Sequence, residues 1–332
     1  MKLLVALLAL SLSSIAATCY SQELVLDTPP RDDLSTAMAF APDGSLWITE
    51  KAGNVYRIAN LEGGERQLVL TVPGHATIER GLLGLAFLDN WLYLHYIRED
   101  GDARIVRFDV SDPAAPGPEE PIFDLGTTGH YHVGGAIAFG PDGKLYIGSG
   151  EGKRRARELP SRIAQSTVAF KGKILRINPD GSVPADNPWH NAVWAIGFRN
   201  PYTFAFGPEG QLYVNDVGEK EWEEVNDVHG GSNYGWPDCE GPCDADGFED
   251  PLYAYSHEEG IAITGGAFWA GGYWFGDFAS GWLRRLDSDE AVLALDDAEA
   301  PVDLDVGPDG RLYYLSLYGE VYRVGWRAPG VD

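Results

Sequence analysis

The 332-residue chain carries 25 Lys and Arg residues against 50 Asp and Glu residues, which gives it a formal net charge of −25. A polyanion of this kind repels phosphate backbones and anionic lipid headgroups, so nucleic-acid binding is excluded as a leading interpretation. Its 41 glycines and 21 prolines indicate many turns between short elements, which favours β architecture over helical bundles.

The first predicted element is a secretory signal. Lys2 supplies a positive n-region, an apolar run covers residues 3–10, and small residues follow at positions 14, 16 and 17. We therefore expect a signal over residues 1–18 and a periplasmic or secreted protein, and no transmembrane span because the apolar run is too short for one. Cys19 follows directly, where bacterial lipoproteins carry an acylated cysteine, which makes it a candidate lipid anchor.

One phrase recurs through the rest of the chain: an apolar strand, a Pro-Asp-Gly-like turn and an apolar or aromatic strand. Asp-Gly between alternating apolar runs is a strong hairpin signal, since glycine accepts the positive φ of a tight turn. Six copies, with a spacing typical of propeller blades, lie at residues 39–50, 84–96, 138–150, 205–216, 265–278 and 305–316. The sequence predicts an all-β, six-bladed β-propeller that forms a single domain over residues 23–332.

The longest segments between copies are residues 151–201 and 217–264. Active sites of propellers lie at the mouth of the central channel and are built from such connections, so we expect the chemistry there. Serine-hydrolase, zinc-protease and nucleotide-binding motifs (GxSxG, HExxH, GxxxxGK[ST], and GxGxxG after a strand) are absent from the sequence.

A histidine beside a glycine pair is the first candidate. His130 and His132 lie in the segment GHYHVGG, residues 129–135, just before the third copy of the repeat. Such a sequence can place an imidazole in a tight loop with open space beside it. The alternative is an ordinary surface or hydrogen-bonded histidine.

The second candidate is the pair Arg199 and Asn200. Pro201 follows them and favours an extended backbone at Asn200, which can present both side chains rigidly. The arginine could bind a carboxylate or polarise a carbonyl. The alternative is a structural arginine paired with a carboxylate of a blade.

The third candidate is an acidic loop that contains Gly218. Its carboxylates and accessible carbonyls are the hard oxygen ligands that Ca²⁺ prefers, although a solvated acidic loop is the alternative. The carboxylates are Asp216, Glu219, Glu221, Glu223 and Glu224. Downstream, Cys239 and Cys243 in CEGPC could close a disulfide in an oxidising compartment, or remain two free thiols.

Taken together, several segments resemble the glucose/sorbosone dehydrogenase family, in unchanged order over roughly residues 35–325. The resemblance is carried by ERGLLGLAF, HVGGAIAFGPDGKLYIGSGEG, GKILRINPDGSVPADNP, GFRNPYTFAFGPEG, NDVGEKEWEEVN, NYGWP, AITGGAFW and FGDFASGWLRRL. It implies a six-bladed propeller that binds pyrroloquinoline quinone (PQQ) and calcium. It also implies oxidation of the anomeric carbon of an aldose to a lactone.

The resemblance also implies roles for individual residues. His132 takes the position of the general base, Arg199 that of the group polarising the quinone carbonyl together with Ca²⁺, and Asn200 that of a cofactor or substrate contact. Glu79 takes the position of a cofactor contact. The implied partners are a small sugar and an electron acceptor of the bacterial envelope.

Two metal positions are implied in the same way. The backbone carbonyls of Gly218 and Glu219 correspond to the ligands of the calcium at the cofactor, and Glu224 and the region of Tyr234 to those of a second, structural calcium.

Four positions depart from the family pattern. Glu79 replaces an amide, Tyr131 replaces an acidic or amide residue before the histidine, Ala136 stands where an arginine often follows the glycines, and Ala279 stands where some members have a lysine. Each change removes a cation or an orienting group that would face an anionic cofactor.

Two other functions fit the residues. One is a calcium-stabilised, non-catalytic propeller that binds a glycan or a protein, and the other is a calcium-dependent sugar lactonase. The lactonase requires side-chain carboxylates that converge on a metal in the central channel, and Glu79 is one possible member.

Overall fold

Six four-stranded antiparallel sheets form the protein, as shown by a computed structural model that describes residues 20–27, 33–155, 157–158, 162–243 and 245–326. Residues 1–19, which hold the expected secretory signal and Cys19, lie outside the described residues. Within the described ranges the helical element is a single 3₁₀ turn, Arg162–Gln165, and no helix there is long and apolar enough to cross a lipid bilayer.

The first three blades follow one another along the chain. Blade 1 contains β2 (Ser35–Phe40), β3 (Leu46–Glu50), β4 (Asn54–Ile58) and β5 (Arg66–Thr71). Blade 2 contains β6 (Leu82–Leu88), β7 (Trp91–Ile97), β8 (Asp102–Asp109) and β9 (Glu120–Thr127). Blade 3 contains β10 (Ile137–Phe139), β11 (Leu145–Ser149), β12 (Lys173–Ile177) and β13 (Val193–Ile196).

The last three blades repeat the pattern, and the sixth combines both ends of the described chain. Blade 4 contains β14 (Pro201–Phe206), β15 (Leu212–Asp216), β16 (Trp222–Asp227) and β17 (Tyr253–Ser256). Blade 5 contains β18 (Ile263–Trp269), β19 (Gly272–Asp277), β20 (Trp282–Asp287) and β21 (Glu290–Leu295). Blade 6 contains β22 (Pro301–Val306), β23 (Leu312–Ser316), β24 (Val321–Trp326) and, as its outermost strand, β1 (Tyr20–Leu26).

The recurring turn phrase forms the hairpin between the first two strands of each blade. In blade 1, Oδ1 of Asp43 accepts a 2.9 Å hydrogen bond from the amide of Ser45, and Gly44 between them adopts φ = +83°. The prediction of an all-β, six-bladed propeller is confirmed.

The ring is closed by β1, which pairs antiparallel with β24 and places Tyr20 opposite Trp326. The first strand therefore begins three residues before the expected span of 23–332. The sequence did not reveal this strand, because its partner lies about 300 residues away.

The core is divided among the seams between blades. In the described part of the chain, six clusters of buried apolar side chains each join two neighbouring blades. Trp47 and Trp274, for example, are almost fully buried between blades 1 and 2 and between blades 5 and 6. This packing fixes each blade against the next, so the loops at the ends of the strands are held on a rigid frame.

The innermost strands surround a central cavity of about 400 Å³, to which all six blades contribute. The starting ends of these strands meet at one face, where residues 35, 83, 202, 264 and 302 line a shared cavity. In five blades the innermost strand carries a register shift near this end, a feature that re-aims side chains next to active sites. We call this face the mouth.

Candidate functional site at the mouth

Two adjoining cavities of about 370 and 360 Å³ open at the mouth and share Glu79, Asn200 and Val217. The first is also lined by His132, Arg199, Gly218, Glu219, His257 and Ile261. The site residues predicted from the sequence therefore meet in one place. They are the base His132, the pair Arg199 and Asn200, the cofactor contact Glu79 and the metal position at Gly218 and Glu219. They come from loops of blades 2, 3 and 4, and His257 and Ile261 come from the connection to blade 5.

His132 lies in a backbone conformation that is uncommon for a residue with a side chain, with φ = +52°. Its amide donates a 2.6 Å hydrogen bond to Oε2 of Glu79, and its carbonyl accepts one from the amide of Gly152. Gly150 packs so closely that an added Cβ would lie 2.1 Å from the same carbonyl oxygen. The loop is thus fixed from both sides, and Glu79 supports the backbone of the histidine.

The imidazole of His132 is held by a buried carboxylate. Oε1 of Glu151 lies 2.9 Å from Nδ1 of His132, and Oε2 accepts a 3.0 Å hydrogen bond from Nε1 of Trp236. Burial opposes the ionisation of Glu151, but the hydrogen bonds from His132 and Trp236 and the charge of Lys153 hold its pKa below the usual value. An ionised carboxylate at Nδ1 directs the other ring nitrogen, Nε2, toward the mouth.

Arg199 is the cation nearest to that nitrogen. Its Nη2 lies 2.9 Å from Nε2 of His132, and its Nη1 donates a 2.6 Å hydrogen bond to the carbonyl of Val217. The third nitrogen of the guanidinium, Nε, is buried and finds no hydrogen-bond partner among the described residues. An unsatisfied buried donor on a guanidinium that lines a cavity indicates a place for an oxygen-bearing, electron-rich ligand.

The last residue of strand β15, Asp216, positions the arginine pair. Its two carboxylate oxygens accept hydrogen bonds from the amides of Arg199, at 2.9 Å, and Asn200, at 2.6 Å. Burial and the nearby Glu224 carboxyl raise the pKa of Asp216. The side chain of Asn200 in turn accepts a 2.9 Å hydrogen bond from the amide of Gly134, which ties the arginine loop to the histidine loop.

The backbone of the acidic loop is held by Glu240, an acidic residue that lies outside the loop. Oε1 of Glu240 accepts hydrogen bonds from the amides of residues 219, 220, 221 and 222. The side chain of Glu219 is paired with Lys153 at 2.7 Å. Neither the carbonyl of Gly218 nor that of Glu219 accepts a hydrogen bond from a described residue. Within the part of the chain that the structure describes, these two carbonyl oxygens are therefore available on a loop that lines the mouth.

The other predicted metal residues lie elsewhere. Glu224 is buried and accepts hydrogen bonds from the amide of Gly241 and from Nδ2 of Asn226. The hydroxyl of Tyr234 donates to the carbonyl of Asp227 and accepts from the amide of His229. Neither Glu224 nor Tyr234 lines the two mouth cavities, and the described residues contain no group of three or more His, Cys, Asp or Glu side chains arranged to hold a metal.

The structure joins Cys239 to Cys243 in a disulfide bridge.

Of the positions that depart from the family pattern, Tyr131 forms an isolated β-bridge with Lys153, and Ala136 lines the central cavity. Ala279 is exposed, and its neighbour Phe278 lines the mouth instead.

Several residues at the site were not found from the sequence, among them Glu151, Lys153 and His257. Glu151 lies in the run GSGEG, which is typical of a turn between blade strands, and Lys153 follows this run. His257 lines the mouth, and its Nε2 lies 2.9 Å from Oε1 of the fully buried Glu223. Among the described residues that line the mouth there are thus two imidazoles, each held by a buried glutamate.

The chain is similar to a known protein family and to curated proteins. The family model described as Glucose / Sorbosone dehydrogenase matches residues 32–322. The chain is 32% identical over 261 residues to quinoprotein glucose dehydrogenase B of Acinetobacter calcoaceticus, a match that covers 68% of this chain and 54% of that protein. It is 27% identical over 237 residues to the aldose sugar dehydrogenase YliI of Escherichia coli, covering 59% of this chain and 60% of that one.

Among solved structures, the PQQ-bound form of the aldose sugar dehydrogenase from Streptomyces coelicolor superposes with a TM-score of 0.81 at 26% identity, covering 92% of this chain and 98% of that one. The chain spans little more than half the length of the Acinetobacter relative. With a family model that covers most of its length and a shared six-bladed architecture, the chain belongs to the glucose/sorbosone dehydrogenase family.

Proposed function

We propose that the protein is an exported, PQQ- and calcium-dependent sugar dehydrogenase that oxidises an aldose, or a sorbosone-like aldehyde, and passes the electrons to an acceptor of the cell envelope. The observation that carries the proposal is the convergence of His132, Glu151 and Arg199 at the mouth of the propeller. The quinoprotein and aldose dehydrogenase relatives support it, and the signal-like residues 1–18 support export.

The residues present fit the cofactor. Arg199 offers a buried Nε without a partner in the described residues, which suits a carbonyl or carboxylate oxygen of the quinone. Lys51, which donates a hydrogen bond to the carbonyl of Ile78, adds a second cation on the wall of the adjoining cavity. The apolar side chains of Leu83 and Phe278 lie in the same cavity and suit a flat ring system.

The residues also fit a calcium ion. The carbonyls of Gly218 and Glu219, which accept no hydrogen bond from the described residues, are hard oxygen ligands, and both residues line the mouth with Arg199. We place this ion at these carbonyls and keep Glu224 and Tyr234 as the position of a second, structural calcium.

In the reaction, Nε2 of His132 accepts the proton of the anomeric hydroxyl. Glu151 then stabilises the imidazolium through Nδ1. Arg199 holds positive charge beside the place where negative charge develops on the oxidant, and Asn200 orients the bound molecule. When bound, the quinone supplies the two-electron acceptor for the hydride of the anomeric carbon.

The test is reconstitution of the full-length mature protein. Calorimetric titration with PQQ in the presence of Ca²⁺ should give binding at micromolar cofactor, and a panel of aldoses should then reduce an added dye. Absence of both heat and dye reduction would contradict the proposal. Hydrolysis of sugar lactones without added cofactor would instead point to the lactonase.

A further inference from the structure

Four consecutive backbone amides of the acidic loop converge on one oxygen atom. Oε1 of Glu240 lies 2.8 Å from the nitrogens of Glu219 and Lys220, 3.0 Å from that of Glu221 and 3.3 Å from that of Trp222. Successive amides that point to one side form an anion-binding concavity, and here the chain fills it with its own carboxylate.

The direction of these amides fixes the direction of two carbonyls. A trans peptide group is planar, and its C=O points opposite to its N–H. The amide of Glu219 shares a peptide plane with the carbonyl of Gly218, and the amide of Lys220 shares one with the carbonyl of Glu219. Both carbonyls therefore point away from Glu240. Gly218 and Glu219 line the mouth cavity, whereas Glu240 does not.

Glu240 is itself held in place by its short loop. The disulfide between Cys239 and Cys243 closes the five-residue segment that carries it, and the next amide, that of Gly241, donates to Oε1 of Glu224. An added Cβ on Gly218 would lie 3.0 Å from Oε1 of Glu240 and 1.6 Å from the carbonyl of Trp222, so the contact leaves no room for a side chain at Gly218. The half-buried carboxylate is thus held against the loop by four backbone amides.

We propose that Glu240 is a positioning residue that orients the carbonyls of Gly218 and Glu219 toward a Ca²⁺ ion at the mouth. This inference rests on the calcium site of the proposed function. Glu240 acts through the backbone and does not contact the ion, in the way that groups behind metal ligands orient them. The disulfide contributes by limiting the positions that the carboxylate can take.

The experiment measures Ca²⁺ binding to the chelator-treated full chain by calorimetry, without PQQ or sugar, in a Glu224→Gln background that removes the carboxylate of the proposed structural calcium. Glu240→Ala should weaken Ca²⁺ binding by about 10- to 100-fold, the range found when groups behind metal ligands are removed. Glu240→Gln keeps an acceptor oxygen in the same place and should recover part of the affinity. Asp246→Asn is the matched control, since it removes one exposed carboxylate close to the disulfide without emptying the concavity, and it should bind nearly as the parent does.

A second readout separates positioning from folding. The thermal unfolding midpoint of each variant is measured with and without Ca²⁺. The increase produced by the ion should shrink in Glu240→Ala, whereas a purely structural role would lower both midpoints equally. Equal Ca²⁺ affinity in Glu240→Ala and the parent, or a parent that binds no Ca²⁺, would overturn the inference. A protein whose Ca²⁺ affinity depends on Glu240 but which binds no PQQ and oxidises no sugar would overturn the proposed function alone.

Discussion

Nη2 of Arg199 lies 2.9 Å from Nε2 of His132, and because a guanidinium can only donate hydrogen bonds, the imidazole accepts at that nitrogen. The ring proton then lies on Nδ1, where it is donated to Glu151. A sugar hydroxyl that donates to the same lone pair must displace Nη2 of Arg199. His132 is therefore in its proton-accepting form. A sugar that binds in the mouth must move Arg199 away from Nε2 of His132.

Replacement of His132 by Asn should remove turnover and leave cofactor binding largely intact. Asn tolerates the left-handed backbone of this residue better than Ala, so the loop should keep its shape. Loss of a general base costs about 10²- to 10⁴-fold in kcat. Dye-linked sugar oxidation and PQQ calorimetry measure the two effects. The control is His130→Asn in the same loop, since His130 lines neither mouth cavity. A His132→Asn variant with normal kcat would exclude His132 as the base.

Replacement of Glu151 by Gln tests the buried partner of the base. The carboxylate accepts from Nδ1 of His132 and from Nε1 of Trp236, whereas an amide has one acceptor oxygen, so one buried donor loses its partner. This should lower the free energy of unfolding by about 1–3 kcal/mol. The imidazolium also loses its countercharge, so kcat should fall by between about 10- and 10⁴-fold.

Urea unfolding and steady-state kinetics check both statements about Glu151. Glu209→Gln serves as the comparison, because Glu209 is exposed in a hairpin turn at the opposite face. Unchanged kcat in Glu151→Gln would mean that the hydrogen bond only holds the loop.

Replacement of His257 by Asn should raise the KM for sugar with little change in kcat. Nε2 of His257 is bound to Glu223, and Nδ1 has no hydrogen-bond partner among the described residues, so it is available to a sugar hydroxyl. One neutral hydrogen bond is worth about 0.5–1.5 kcal/mol, which corresponds to roughly a 2- to 12-fold change in KM. His229→Asn, at an exposed histidine outside the mouth, should leave both constants unchanged. A selective loss of kcat in His257→Asn would assign His257 to the chemical step instead.

Two aspartates should make the stability depend on pH. Asp303 and Asp305 on β22 each accept a 2.9 Å hydrogen bond from β2, from the amides of Met38 and Phe40, and thereby join blade 6 to blade 1. Burial raises the pKa of Asp303 to about 7 and that of Asp305 to about 6. Below these values the folded chain keeps protons that the unfolded chain has released, so the free energy of unfolding should fall as the pH rises from about 4 to 7.

The measurement is urea unfolding at pH 5 and pH 8, where we expect a decrease on the order of 2–4 kcal/mol. The double variant D303N/D305N should show a smaller decrease, and Asp289→Asn, at an exposed site, should show the full one. Buried Asp216 and Glu223 act in the same direction, so some decrease remains. Equal decreases in the parent and the double variant would contradict the assignment.

Local sequence patterns predicted the blades because each hairpin is built from residues adjacent in the chain. They also predicted most of the mouth, since His132, Arg199 and Asn200 directly precede innermost strands. The supporting carboxylates were harder to predict, because their partners are distant in sequence: Glu151 was not found, and Asp216 and Glu223 were assigned to the calcium loop. One signal was available: the second strand of the repeat ends in an acid at Glu50, Asp216 and Asp277. Asp216 and Asp277 each accept a hydrogen bond from a backbone amide just before the innermost strand of their own blade, and in this way the frame positions the loops at the mouth.

The pairing of Tyr20 with Trp326 also has a consequence for engineering. The two ends of the described chain lie side by side in one blade, so a short linker could join them, and new termini could be opened at the turn of Asp43 and Gly44 on the face remote from the mouth. In such a circular permutant, β1 would lie in the interior of the sequence instead of near its start. The loops that carry His132 and Arg199 would stay uninterrupted.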